Sequence, residues 1–315
     1  MNILITGAAG MIGFHSAKKL ISEGHTVYGI DNFNDYYEVQ LKKDRASILE
    51  KEYNMMPIIN RDIQDADWVT LTSNVDVVLH LAAYANPRHA LAEPQPYIDT
   101  NITGTQRLIE GCEETQTPVV YASSSCVMHG QPLPWNEHDK GAHQNNPYGW
   151  SKYANECQFK HSKVPASVGL RFFTVYGPYG RPDMALFKFT DGIVNGTPID
   201  VFNYGDMKRD FTYVEDIVQG INIVINSMIE GLTTEQHDIY NIGYGEQVQL
   251  MDFIKRIEEC VGNKAIIEYK PKHPADTPET WSDTTKLQKL GYKPVTSIND
   301  GVEKFVKWYL EYYQK

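Results

Sequence analysis

Residues 1–13 read MNILITGAAGMIG, and this stretch decides the fold. NILIT is a short, nearly continuous apolar run, the pattern of a strand buried on both faces of a parallel sheet. Gly7, Gly10 and Gly13 then mark a tight turn. Helical spacing begins at once, through Ile12, Ala17, Leu20 and Ile21. Three glycines alone also describe an ordinary strand-to-helix turn, but a turn that opens a helix has chemistry of its own. The first N–H groups of that helix, those of Met11, Ile12 and Gly13, lack intrahelical acceptors, and the positive end of the helix dipole suits a pyrophosphate. Gly7 takes the turn, Gly10 lets a phosphate approach the backbone, and Gly13 allows close packing of helix on strand.

The next strand, TVYGID, ends in Asp31, 18 residues past Gly13, followed by Asn32. A carboxylate there binds both hydroxyls of an adenosine ribose and repels the 2′-phosphate of NADP. The expected cofactor is therefore NAD. Two further strand ends suit the same ligand: Asp62 and Ile63 at the adenine, and Leu81, Ala82 and Ala83, whose small side chains leave room for its backbone. Asn101, on the helix predicted over residues 97–114, completes the expected cofactor set.

Outward from this start the first half alternates short apolar strands with helical patterns. Helices are expected near 11–23, 36–52, 67–72 and 97–114, and strands in MPIIN, VDVVLHL, PVVYAS and ASVGLRFF. Such alternation predicts an α/β fold with a Rossmann-type, doubly wound parallel sheet. After about residue 173, Gly- and Pro-punctuated segments such as VYGPYGRPDM predict a smaller, loop-rich α/β domain for substrate. DIYNIGYG is expected to return one strand to the main sheet. The NAD-binding domain would then span 1–172 and about 211–243, and the substrate domain about 173–210 and 244–315.

Composition narrows the function. The net charge of −11 argues against a general nucleic-acid or anionic-membrane binder. Cys112, Cys126, Cys157 and Cys260 show no metal-ligand spacing, so no metal is expected. The start lacks the features of a signal peptide, and the most apolar stretch, VDVVLHLAAYA, is too short and too polar for a membrane span. A cytoplasmic location is expected.

Residues 145–156 read NNPYGWSKYANE, which sets Tyr148 and Lys152 four apart on one helix face. Such a pair is commonly a solvated surface pair. Here it follows a dinucleotide half and a strand ending in ASSSCV, where Ser124 is placed to hydrogen-bond a substrate hydroxyl. Free tyrosine titrates near pH ~10, and bringing it to neutrality takes roughly 4 kcal/mol. One cation at about 4 Å with an effective dielectric of about 20 supplies about that much. Lys152 and an oxidised nicotinamide together suffice, which makes the pair a proton-transfer device.

These residues resemble the short-chain dehydrogenase/reductase superfamily in its extended, nucleotide-sugar-modifying form. DNFNDYYEVQLKKDR, RFFTVYGPYGRPDMALFKF and IDVFNYGDMKRDFTYVEDIV look like the UDP-glucuronate 4-epimerases, as do PADTPETWSDTTKL and GYKPVTSINDGVEKFVKWY. The resemblance implies NAD-dependent epimerisation of a UDP-hexuronate at carbon 4, through a 4-keto intermediate. Tyr148 would be the base, Lys152 its activator and a hold on the nicotinamide ribose. Ser124, helped by Ser125, would bind the reacting oxygen. Thr174 and Arg181 match positions at the hexuronate carboxylate, Arg209 a diphosphate-binding arginine, and Asp276 a nucleotide-ribose contact. Arg88 closes a loop that faces the substrate. A homodimer is implied, with helices near 97–114 and 147–163 packing across a twofold axis.

The chain departs from that family near the chemistry. Cys126 stands in place of a hydroxyl residue, Met128-His129 where a tyrosine is expected, and Tyr84 with Asn86-Pro87 in the substrate-facing loop. Four rivals share parts of the pattern: a 4,6-dehydratase, a UDP-glucuronate decarboxylase, a hexose or N-acetylhexosamine 4-epimerase, and a non-catalytic NAD-binding scaffold. The first needs an added acid–base pair, and relatives of both of the first two types carry acidic residues beside the strand-end hydroxyls that Ser125-Cys126 does not supply. The scaffold would not need Ser124, Tyr148 and Lys152 together.

Overall fold

The computed structural model describes residues 1–141, 144–231 and 235–315. Chain order in the first half is β1 (Asn2–Thr6), α1 (Met11–Ser22), β2 (Thr26–Asp31), α2 (Val39–Tyr53), β3 (Ile59–Asn60), α3 (Trp68–Thr72), β4 (Val77–His80) and α4 (Pro87–Ala92). A π-wound turn over Tyr97–Gly104 then runs into α5 (Thr105–Thr115), and β5 (Val119–Ser124), α6 (Pro147–Lys160) and β6 (Ser167–Phe172) follow. Beyond these come β7 (Thr174–Tyr176), α7 (Ala185–Asn195), β8 (Pro198–Phe202), β9 (Lys208–Arg209), β10 (Phe211–Tyr213), α8 (Val214–Ile229) and β11 (His237–Ile242). The chain closes with β12 (Val248–Gln249), α9 (Leu250–Val261), β13 (Ile266–Lys270), α10 (Thr285–Gln288) and α11 (Ile298–Tyr312).

Seven parallel strands form the main sheet in the order β11-β6-β5-β4-β1-β2-β3. Their apolar runs follow from burial on both faces. One face packs Phe14, Ala17 and Leu20 of α1, Leu49 of α2, and Ile217, Ile221 and Val224 of α8. The other packs Trp68, Leu108, Ile109, Cys112 and Phe159, from α3, α5 and α6. Strand order reverses between β1 and β4, so a crevice opens outside their carboxyl ends, the place where such sheets bind ligands.

The expected return of a strand after residue 236 is β11, which pairs with β6 in register from His237 opposite Ser167. Past residue 173 the chain is more helical than its punctuation suggests. α7, α9 and α11 enclose a second core of Phe187, Phe189, Ile193, Phe253, Ile257, Phe305 and Tyr309. Glycines and prolines break the segments between these helices, while the apolar residues inside them keep helical spacing. Leu287 and Tyr292, assigned by sequence to the smaller domain, sit in the core of the main sheet.

The helix predicted over 97–114 is interrupted by the π-wound turn. Its loosened carbonyls have partners on α6: Asn155 Nδ2 donates to Asn101 O at 2.6 Å, and Gln158 Nε2 to Ile102 O at 3.1 Å. Side chains entering the carbonyl ladder in this way account for the local winding.

Candidate active site

One cavity of about 1060 Å³ runs from the carboxyl ends of β1, β2 and β4 across to β8, β9 and the loop at residues 275–280. Its wall includes Gly7, Gly10, Met11, Ile12, Gly13, Asp31, Asn32, Asp62, Ile63, Leu81, Ala82 and Ala83. It continues through Arg88, Ser124, Ser125, Tyr148, Lys152, Thr174, Arg181, Arg209 and Asp276. Asn101 alone of the sequence-predicted residues is off this wall. It is fully buried, with Oδ1 accepting from Tyr84 N and Nδ2 donating to Tyr84 O and Ser151 Oγ, each at 2.9 Å. Its side chain therefore ties the loop after β4 to α6.

The glycine end fits a dinucleotide. Gly7 has φ +69°, and a Cβ there would lie 2.9 Å from Ala82 N. A Cβ on Gly13 would lie 2.3 Å from Gly7 O, so only glycine lets α1 start this close to β1. Gly10 caps α1 without a side-chain bond, which leaves the first N–H groups of the helix facing the cavity. Asp31 accepts from Ala9 N at 3.1 Å and Phe33 N at 2.9 Å, and burial raises its pKa. A carboxylate has about four acceptor sites, so capacity for ribose hydroxyls remains. Asn32 Nδ2 donates to Asp62 at 2.7 Å and joins the two rim residues.

Several buried polar residues behind this end were not singled out from sequence. Thr6 Oγ1 accepts from Leu81 N at 3.1 Å and Ala82 N at 3.0 Å, so its own proton goes to His80 Nδ1 at 2.8 Å. His80 is then neutral, donating from Nε2 to Thr105 at 2.9 Å, and burial holds its pKa down to about 3. Arg45, fully buried, donates to Ala9 O at 2.7 Å and Tyr37 Oη at 2.9 Å, bracing the glycine loop. Lys42 reaches Asn34 O at 2.6 Å, and burial lowers its pKa to about 8. Leu41, Lys42, Arg45 and Leu49 are buried together, and that spacing on one helix face was the available signal.

Ser124 ends β5, and Ser125 and Cys126 lie in the short turn that follows, where Ser124 Oγ accepts from Cys126 N at 3.2 Å. Pro147 starts α6, and Asn146 caps it by accepting from Gly149 N at 2.8 Å. These start and stop signals put Tyr148 in the first turn and Lys152 one turn on, both facing the cavity. Lys152 is 3% exposed and donates to Ala122 O at 3.0 Å. Burial lowers its pKa to about 7. Burial pushes Tyr148 well above the ordinary tyrosine range, while a Ser124 hydrogen bond and the Arg181 charge pull the other way. The fall in the Tyr148 pKa expected from Lys152 is thus not seen in the protein alone, where burial of the phenol raises it instead.

Three of the cavity arginines, Arg88, Arg181 and Arg209, differ in what they touch. Arg88 pairs with Asp276 through two bonds of 3.0 and 2.8 Å and lies 3.7 Å over the ring of Phe202. Arg181 pairs with Asp183, its neighbour two residues on, at 2.9 and 2.6 Å. Among the described residues Arg209 donates only to carbonyls, Lys208 O at 2.9 Å and Pro278 O at 2.7 Å, and burial lowers its pKa to about 10. Among the described residues no group of three His, Cys, Asp or Glu is placed to hold a metal, and no helix is long and apolar enough to cross a membrane.

A glycine-loop dinucleotide crevice joined to a Tyr–Lys pair and a second, arginine-lined compartment defines a class: NAD-dependent enzymes that act on nucleotide sugars. Residues 3–243 match the NAD dependent epimerase/dehydratase family, and the chain belongs to it. It is an NAD-dependent nucleotide-sugar epimerase, an isomerase. Over its whole length it is 43% identical to the whole of Protein CapI of Staphylococcus aureus. It is 37% identical to a probable UDP-glucuronate 4-epimerase of Rhizobium meliloti, over all of this chain and 98% of that one. Its structure is similar to that of UDP-glucuronic acid 4-epimerase from Bacillus cereus in complex with UDP-glucuronic acid and NAD. That likeness has TM-score 0.92 and 32% identity, and covers 99% of this chain and 100% of the other.

Proposed function

We propose that the chain interconverts UDP-glucuronate and UDP-galacturonate by reversible oxidation at carbon 4. The observation that carries this reading is the single cavity in which Ser124, Tyr148 and Lys152 share space with Arg181 and Arg209. Gly7, Gly10, Met11, Ile12 and Gly13 hold the NAD pyrophosphate, Asp31 and Asn32 the adenosine ribose, Asp62 and Ile63 the adenine, and Leu81–Ala83 flank the dinucleotide backbone. When bound, NAD supplies a reversible hydride acceptor for carbon 4.

The chain's own contribution is positioning and proton movement. Tyr148 takes the proton of the carbon-4 hydroxyl, and Ser124, with Ser125 beside it, holds that oxygen. Lys152, already fixed on Ala122 O, places its ammonium by the nicotinamide ribose and, together with the positive charge that bound NAD would supply, holds Tyr148 as the phenolate that accepts this proton. The sugar passes through a 4-keto species and turns its other face; carbon 4 then regains the hydride on that face as its oxygen takes the proton back from Tyr148. Net redox change is zero, so one NAD serves every turnover.

Arg209 lacks a carboxylate partner among the described residues, which suits it to the diphosphate. Asp276 and Arg88 meet the nucleotide ribose end. Thr174 and Arg181 meet the carboxylate at carbon 5. A second reading, 4-epimerisation of UDP-glucose or its N-acetyl form, is favoured by one observation: Asp183 already neutralises Arg181. Incubation with a panel of UDP-sugars, resolved chromatographically, separates the two. Conversion of UDP-glucuronate, with a far larger loss for it than for UDP-glucose in Arg181→Ala, supports the hexuronate reading. Conversion of the neutral sugars alone, or equal losses on both, overturns it.

Association as a homodimer belongs to the same proposal. α6 presents Trp150 and Cys157 outward, and the face it forms with α5 is where a second copy would pack. Light scattering after size exclusion measures this directly; a monomer at micromolar concentration would contradict it.

A further inference from the structure

The bonds to Asp183 occupy one edge of the Arg181 guanidinium, and Nη2 also donates to Ala85 O at 3.2 Å. Nη1 makes no hydrogen bond within the described residues, so it is the edge left for a ligand. Asp183 is itself held from two other loops. Asn86 Nδ2 donates to its Oδ2 at 2.9 Å, and the Tyr36 hydroxyl donates to the same atom at 3.2 Å. Asn86 has Nδ2 free for this because its Oδ1 caps α4, accepting from Arg88 N at 3.0 Å and His89 N at 3.2 Å. The Tyr97 hydroxyl fixes the same residue by donating to Asn86 O at 2.8 Å.

A guanidinium already paired with a carboxylate has little long-range field left. What remains is short-range and directional, so its power to select a ligand depends on its aim. We propose that Asn86 is a specificity-determining residue: by holding Asp183 it aims Nη1 of Arg181 at the carbon-5 substituent of the sugar. It thereby sets the preference for an acidic over a neutral sugar. This rests on the reading that Arg181 faces the sugar carboxylate. Two effects act in the same direction when the Asn86 amide is lost. Arg181 loses its fixed aim, and Asp183, released from one donor, becomes free to turn a like charge toward the sugar's carboxylate. A neutral sugar feels neither.

Two substitutions separate this role from helix capping. Asn86→Ser keeps a capping oxygen for α4 but has no N–H to reach Asp183. Asn86→Asp keeps the cap and sets a second carboxylate against Asp183. The full-length, NAD-loaded protein is assayed with UDP-glucuronate and with UDP-glucose, alongside melting temperature. The expected result is a ratio of kcat/KM, acidic over neutral, reduced about tenfold in Asn86→Ser and further in Asn86→Asp. A ratio that either variant leaves unchanged, including one where both sugars fall together, overturns the assignment of Asn86. A wild-type protein with no preference for UDP-glucuronate overturns the hexuronate reading and this inference with it.

Discussion

The Ser123 hydroxyl donates to Glu156 Oε1 at 2.6 Å, tying the strand that ends in Ser124 to the helix that carries Tyr148. Behind it, Arg171 on β6 grips the same carboxylate through Nε at 2.8 Å and Nη2 at 2.9 Å. Arg171 is fully buried, and its Nη1 reaches Glu137 O at 3.2 Å and Asp139 O at 3.0 Å. Glu156→Gln leaves a guanidinium without its counter-charge in the interior, a loss of about 3–5 kcal/mol. Denaturant unfolding should show this, and the double variant Glu156→Leu with Arg171→Met should recover most of it. Equal stability of Glu156→Gln and wild type would mean that the network holds nothing in place.

Tyr148→Phe removes the proton acceptor and leaves the ring. General acid–base groups contribute about 10²–10⁴-fold, so kcat is expected to fall at least a hundredfold on every UDP-sugar the wild type turns over. Bound NAD, measured after denaturation, and UDP-sugar affinity, measured by calorimetry, should stay within a few-fold of wild type. Residual turnover above a tenth of wild type would remove Tyr148 from the chemistry.

Much of this was legible in the chain, because the signals are local. Gly13 was legible because its demand is set by Gly7 and Ala8 in the same turn, and β1, β4 and β5 read as buried because their apolar runs are unbroken. Asp31, from its place at a strand end, and the Tyr148–Lys152 pair, from spacing along one helix, were expected at the cavity and line it. The Asn86–Asp183 bond joins residues 97 apart in sequence, and the Arg88–Asp276 pair residues 188 apart. Such contacts join loops far apart in the chain across one cavity, and no periodicity encodes them. The three bonds of Asn101 to Tyr84 and Ser151 are of the same long-range kind, and its sequence position alone did not announce them.

Gly13→Ala tests the dinucleotide end through packing. The added methyl would sit 2.3 Å from Gly7 O and 2.9 Å from Ala8 Cα, both backbone atoms that cannot swing away. α1 must therefore lift from β1, moving the N–H groups of Met11 and Ile12 from the pyrophosphate position. Purified Gly13→Ala is expected to carry little NAD and to bind added NAD at least tenfold more weakly. Unchanged NAD content would show that the loop tolerates the displacement.

Arg209→Met tests the diphosphate end. Its effect should fall on KM for every UDP-sugar alike, because the diphosphate is common to all of them. Loss of a charge-assisted contact at a buried site is expected to raise KM by at least tenfold and to flatten its dependence on salt. A loss confined to the acidic sugar would instead place Arg209 at the carboxylate.

Lys152 makes a prediction about stability that is separate from turnover. Its folded pKa of about 7 lies below the 10.5 of an unperturbed lysine, because burial disfavours the ammonium. The unfolded chain therefore binds the extra proton between those values, and stability rises with pH wherever it does so. The penalty of the buried amine is complete below about pH 7 and fades as pH climbs toward 10.5. Lys152→Met removes the titrating group, so the NAD-free variant should melt above wild type at pH 6. That difference should shrink steadily to pH 10, offset throughout by the lost bond to Ala122 O. Turnover of the variant should be abolished at every pH. A difference in melting temperature independent of pH would show that Lys152 titrates normally, and the electrostatic basis for activating Tyr148 would have to come from elsewhere in the cavity.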